Sequence, residues 1–269
     1  MRVCRSAPLC FLLPVLLLSF LSGCVDSPPS DPAKTVPRLI DLLRDVDPAV
    51  RITAAQSLGK IGRVEAAPAL VESSADGDPS VRAAVVWALG RLDEEAGEEA
   101  REEIGTVLAA AIDDPSVTVK EAAAAAIGQR GPLPEVATRL VQFLQSPDAA
   151  SRRAAATALG WLEAASATGP LTEGLLDEDA GLRQRALSAL GEIGDRHTIP
   201  KVLDRLIHDG DAGVRGEAAY RLGKLGDPQA LASLREAAAK DEHVNVRRWA
   251  EWAMRELEGT TGPGPTGPG

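Results

Sequence analysis

The sequence predicts an all-α solenoid of about seven stacked helix-turn-helix units, and three observations lead there. One short text recurs. Asp47-Pro48-Ala49-Val50-Arg51, leading to Ala54 and Leu58-Gly59, returns as Asp78-Pro79-Ser80-Val81-Arg82 leading to Leu89-Gly90, and again from Asp148, Asp179 and Asp211. The glycines closing these units, at 59, 90, 128, 160, 191 and 223, are spaced 31, 38, 32, 31 and 32 residues apart. A regular period of this size marks a repeat architecture. Finally, aromatic residues make up only 3% of the chain. That is thin for one core built around large side chains, and it suits helices packed closely through small ones.

The chain begins with a segment that has the form of an export signal. Arg2 and Arg5 precede an apolar run from Ala7 to Phe20, which is too short for a comfortable membrane span. Leu21-Ser22-Gly23-Cys24 resembles the bacterial lipobox, which implies that residues 1–23 are removed and that Cys24 is acylated as the new N-terminus. Cys4 and Cys10 fall in the removed segment, so the mature chain has one cysteine and no internal disulfide. Two or three acyl chains on Cys24, palmitate among them, would give a stable anchor where a single chain is marginal. Residues 24–33, rich in Pro, Ser and Asp, are expected to form a flexible tether. Val25 stands where enteric lipoproteins retained at the inner membrane carry aspartate; by that resemblance the outer membrane, facing the periplasm, is expected in a two-membrane host.

Residues 34–258 are the repeats. Val50, Ala54, Ser57 and Leu58 share one face of a helix with a 3.6-residue period. Asp47, Asp78, Asp148, Asp179 and Asp211 sit where N-caps belong, and the repeat glycines are expected as left-handed C-caps. Between these B-helices lie apolar segments expected to form A-helices, with Pro37, Pro68, Pro134, Pro170 and Pro200 near their starts. Two units, one ending in Ile127-Gly128 and one running from Asp241 through Val246-Arg247 to Met254, carry a two-residue insertion near the turn on this alignment. The acidic stretch Asp93–Glu103 accounts for the long interval and is expected to be a solvated helix start. Residues 259–269 are Gly-Pro-Thr low complexity, expected to be a disordered end.

The Asp-Pro-x-Val-Arg…Ala-Leu-Gly text resembles the short HEAT-like repeat, the type also found in phycobilisome lyases. The resemblance implies that the cation column Arg51, Arg82, Lys120, Arg152, Arg183, Arg215 and Arg247 pairs with the turn aspartates of adjacent repeats. That pairing would be a structural ladder. It also implies that the B-helices line a concave face. Counted from the valine of each B-helix, the sixth position holds Trp87, Tyr220 and Trp252, and the second holds Arg153 and Arg248. These five are the candidate partner-binding residues, since exposed aromatics anchor protein interfaces.

The same text offers little chemistry. A net charge of -10 disfavours nucleic acid as a partner. His197, His208 and His243 are not followed by Glu, unlike the His-Glu pairs of iron-binding HEAT-repeat hydroxylases. No paired-cysteine, HExxH, Gly-x-Ser-x-Gly or phosphate-loop pattern is present. No catalytic residue, metal or cofactor is expected. A lyase-like or accessory role, which the resemblance allows, sits poorly with export and with a single acylated cysteine. The expected role is a protein-binding scaffold anchored in the cell envelope, with a passive spacer as the other non-enzymatic alternative.

Overall fold

The computed structural model describes residues 32–93, 97–131 and 134–259. The export segment, Cys24, most of the tether and nearly all of the Gly-Pro tail lie outside the described residues. Fourteen α-helices alternate along the chain, with no strand among the described residues. The A-helices are α1 (Pro32–Leu42), α3 (Ala67–Ser73), α5 (Glu98–Ala111), α7 (Pro134–Phe143), α9 (Thr168–Gly174), α11 (Ile199–His208) and α13 (Leu231–Lys240). The B-helices are α2 (Pro48–Ile61), α4 (Pro79–Leu89), α6 (Val117–Arg130), α8 (Ala149–Trp161), α10 (Ala180–Ile193), α12 (Ala212–Leu225) and α14 (Val244–Leu257).

Each B-helix packs against its own A-helix and more extensively against the next B-helix, whereas successive A-helices touch sparsely. The B-helix row is therefore the tightly packed side of the stack. Leu58, Leu89, Ile127, Leu159, Leu190 and Leu222 are buried between the rows. A unit of two helices cannot cover this seam alone; its neighbours do.

The N-caps follow from local chemistry. Asp47, Asp78, Asp148, Asp179 and Asp211 accept first-turn N–H bonds at 2.7–3.0 Å. The proline expectation holds for Pro68 and Pro200, in the first turns of α3 and α11, and for Pro134, which opens α7. Pro37 differs: it lies inside α1, which starts at Pro32. The acidic stretch from Glu98 to Glu103 forms the start of α5, with Glu98 and Glu99 in its first turn, where carboxylates suit the helix dipole; residues 94–96 lie outside the described residues.

The repeat glycines are not left-handed C-caps. Gly59, Gly128, Gly160, Gly191 and Gly223 lie inside their helices, and Gly90 follows α4 in right-handed conformation. The left-handed stops are Gly62, Gly194 and Gly226, at φ of 77°, 73° and 71°. What the repeat glycines supply is proximity. A Cβ on Gly59, Gly160 or Gly223 would lie 2.8 Å from the Cα of Ala88, Ala189 or Ala253 on the next B-helix, and one on Gly90 would lie 2.7 Å from the Cα of Ala126. Real side chains do not approach backbone so closely. In the last unit the equivalent position is Arg255, which is exposed.

Gly160→Ala forces a Cβ against backbone, so α8 and α10 must separate. We expect a loss of about 1–3 kcal/mol despite the better helix propensity of alanine. Gly210→Ala, at a site with no atom within 4 Å of the added carbon, is the matched control and should leave the melting temperature unchanged.

Candidate functional site

The cation column forms a ladder, with a register the sequence pattern did not place. Arg51 donates from Nε and Nη2 to both carboxylate oxygens of Asp76, at 2.7 and 3.0 Å. Arg82 does the same to Asp114, Arg183 to Asp209 and Arg215 to Asp241, at 2.8–3.1 Å. Arg152 reaches Asp177 through Nη2 alone, at 3.0 Å. The remaining Nη1 of each arginine binds carbonyls of its own turn, as Arg183 does with Asp177 and Glu178. One guanidinium thus clamps its own turn and grips the next repeat, a bidentate geometry that lysine cannot supply.

The acceptor is the aspartate two residues before the N-cap, not the N-cap itself. Asp47, Asp78, Asp179 and Asp211 cap their own helices, while Asp76, Asp177 and Asp209 cross to the preceding repeat. Each crossing aspartate also accepts the backbone N–H of the following cap, as in Asp78 N to Asp76 Oδ1 at 2.8 Å. The apparent two-residue insertions vanish in this register. Asp114 and Asp241 are crossing aspartates, and Ser116 and His243 occupy the cap positions without a side-chain cap bond. Arg247 holds its own turn through Asp241 O and Glu242 O.

One joint is built differently. At α6 to α8 the arginine is Lys120, the crossing aspartate is Ser146 and the buried valine is Ser151. Lys120, 5% exposed, reaches Ser151 Oγ at 2.7 Å and the N-cap Asp148 at 2.8 Å. Ser151 Oγ also lies 2.7 Å from Asp113 and 2.9 Å from Asp148, its one proton serving either carboxylate in turn. The Lys120 ammonium and the N–H and O–H of Ser151 hold the Asp148 carboxyl far below the usual range. For Asp76, Asp114, Asp209 and Asp241, burial alone would raise the carboxyl pKa. The arginine and backbone N–H bonds outweigh it and leave all four lowered.

A second ionic cluster was not foreseen. Arg221 donates to Glu217 at 2.7 Å, to Glu192 at 2.6 Å and to Ser188 at 2.8 Å. Burial pushes the Glu217 carboxyl up, with Arg221 opposing. Arg221 occupies the place that alanine fills in most repeats, against Gly191.

The aromatic column does not form one surface. Trp252 is 5% exposed and Trp249 4% exposed. Tyr220 stacks on Trp252 at 5.1 Å and meets Trp249 edge-on at 5.1 Å, so the three rings make a packed trio at the last joint. Trp252 is thereby removed as an exposed anchor. Arg153 is exposed but lies 3.6 Å from Asp179, and Arg248 is exposed on the terminal helix α14. Trp161, 50% exposed and lying over Gly128, is the exposed tryptophan that the column missed.

Trp87 stands apart. Its half-buried ring sits above the backbone of Gly59, and the Arg91 guanidinium lies 4.9 Å from the ring centre. It lines an open cleft of ≈ 640 Å³ across three B-helices: Ile52 and Lys60 from α2, Ala83 and Trp87 from α4, Thr118 and Ala122 from α6. Most of the lining is apolar. Among the described residues no three His, Cys, Asp or Glu side chains converge as a metal site, and no helix is long and apolar enough to cross a membrane.

The sequence profile of HEAT repeats matches residues 36–102, 105–187 and 170–255, and that of a HEAT-like repeat matches 79–129. The chain belongs to the HEAT-repeat family. HEAT repeats generally mediate protein interactions, and this chain has their scaffold fold. No curated protein matches it. Similar solved structures include the complex of CpcE and CpcF of phycocyanin lyase from Nostoc sp. PCC7120, at 20% identity over 84% of this chain and 94% of that one, TM-score 0.49. Human deoxyhypusine hydroxylase in complex with glycerol is 24% identical over 83% of this chain and 84% of that one, TM-score 0.41. An engineered protein is 22% identical over 83% and 68% respectively, TM-score 0.48.

Arg183→Met removes a bidentate bond to an aspartate whose side chain is 1% exposed. The expected cost is about 2 kcal/mol, read as a fall in melting temperature of roughly 4–8 °C. Asp76, Asp114, Asp209 and Asp241 have depressed pKa values, so their stabilisation is complete above the usual aspartate value of 3.8 and is lost as pH falls through the lower folded values. Acid unfolding followed by circular dichroism should show little change above that value and a progressive loss below it.

Proposed function

We propose that this HEAT-repeat chain is a lipid-anchored scaffold of the bacterial cell envelope that holds a partner protein in the cleft between α2, α4 and α6, without catalysing a reaction. The observation that carries the reading is Trp87. It is a large ring, fixed from below by the backbone of α2 and open above to a cleft that three repeats build together. A rigid aromatic with little rotamer entropy to lose is the kind of anchor that concentrates binding energy. Tyr220 and Trp252 are engaged in the packed trio, which narrows the candidate surface to the first three repeats. The anchoring half of the proposal is supported by Leu21-Ser22-Gly23-Cys24 directly after an apolar run. An outer-membrane address facing the periplasm is part of the proposal for a host with two membranes.

The two halves have separate tests. Cys24→Ser should abolish incorporation of labelled palmitate and move the protein from the membrane fraction to the soluble one; retention at the membrane would overturn the anchor. For the cleft, a photocrosslinking amino acid placed at Ala83 in cells should give a discrete adduct that Trp87→Ala suppresses. An adduct pattern shared with a probe at Arg139, exposed on α7, would count against the cleft.

A further inference from the structure

The occupant of the cleft can be narrowed by charge. We infer that the α2–α4–α6 cleft receives an acidic peptide segment of the partner, with an apolar side chain packed on Trp87 and a carboxylate set against Lys60 and Arg91. This rests on the cleft reading above and gives it a ligand class.

The chain carries 39 acidic and 29 basic residues, yet none of the residues lining this cleft is Asp or Glu. Lys60 lies on its lining, and Arg91 is held over Trp87 at 4.9 Å. Both cations are exposed. In the ladder, Arg51, Arg82, Arg152, Arg183 and Arg215 each have a carboxylate from the next repeat. Lys60 and Arg91 have no carboxylate partner among the described residues. They stand one repeat apart in equivalent sequence register, Lys60 in the last turn of α2 and Arg91 in the turn just after α4, and both favour a negative group at that end of the cleft. A cation stacked on a tryptophan keeps its outward N–H donors available to a carboxylate.

The rest of the lining fits a peptide. Ile52, Ala83 and Ala122 give an apolar floor, while Gln56, Ser80 and Thr118 offer hydrogen-bonding groups to an extended main chain. A polyanion such as nucleic acid would meet the repulsion of the whole acidic surface, whereas a short segment with one or two carboxylates meets only the local pair. The chain's own residues 260–269 contain neither an acid nor a large apolar side chain, so they do not match the site.

The test is selection from a random-peptide display library on the purified, non-acylated mature protein (Cys24→Ser). The expected result is enrichment of peptides that combine an aromatic or branched apolar residue with Asp or Glu. A fluorescent copy of the leading peptide should bind Trp87→Ala about 10-fold more weakly. Lys60→Glu, a change on an exposed helix position that leaves the fold intact, should weaken it about 5-fold, with the wild-type affinity falling as salt is raised. Enrichment of neutral or basic peptides that still depend on Trp87 would overturn the acidic inference and leave the cleft standing. Peptides indifferent to Trp87→Ala, or no enrichment at all, would overturn both.

Discussion

Two α-helices cross at backbone contact only where one side offers no Cβ and the other offers the smallest one. Along this stack, glycine on one B-helix meets alanine on the next at Gly59–Ala88, Gly90–Ala126, Gly160–Ala189 and Gly223–Ala253. That contact fixes the rise from repeat to repeat. With the rise fixed, an arginine at the start of one B-helix finds the turn carboxylate of the next at hydrogen-bond distance five times over, through side chains of one length. The ladder is thus a consequence of the close crossing as much as a cause of order. The A-helices lack this contact and touch their successors only sparsely, so the order of the stack is set along the B-helix row.

Much of this was legible in the sequence because it is local. Repeat length, helix alternation, the N-caps and the cation column each depend on residue type at fixed spacing. The misplacements share a physical origin. Glycine answers two demands, left-handed backbone and close approach, and a sequence shows the residue without the demand. Here Gly62, Gly194 and Gly226 serve the first, and the glycines three residues earlier serve the second. In the same way, two aspartates separated by one residue can each cap or cross. The units around Asp114 and Asp241 held the clue, since they become regular only when the earlier aspartate is aligned.

The candidate surface was less legible. Helical period tells which face a residue occupies but not what lies over that face. Trp87 and Trp252 share a register, yet Trp252 is covered by Tyr220 and Trp249, while Trp87 has Gly59 beneath it, the exposed Arg91 guanidinium over its ring and an open cleft beside it. The Arg221–Glu217–Glu192 cluster and the Lys120 joint are likewise relations between helices. In the first, Arg221 enters a place that other repeats fill with a small side chain; in the second, Lys120 stands in the arginine register beside Ser151 in the register of the buried valine, and both cations are met by acceptors from a neighbouring repeat.

The exposed Arg255 at the end of the array has a consequence for assembly. Every earlier B-helix presents to the following one a surface that accepts an almost identical helix, and a polypeptide made of such units is in principle self-complementary. Joined end to end, copies of it would grow into filaments, because a head-to-tail contact has no symmetry that closes it. At four crossings a glycine meets the backbone of an alanine and permits the step; in α14 the long charged side chain of Arg255 stands in the glycine's register, where a Cβ is incompatible with so close a contact. A copy stacked on α14 at this register would have to stand farther off than the internal repeats do, so the tight crossing that orders the stack is not repeated at Arg255.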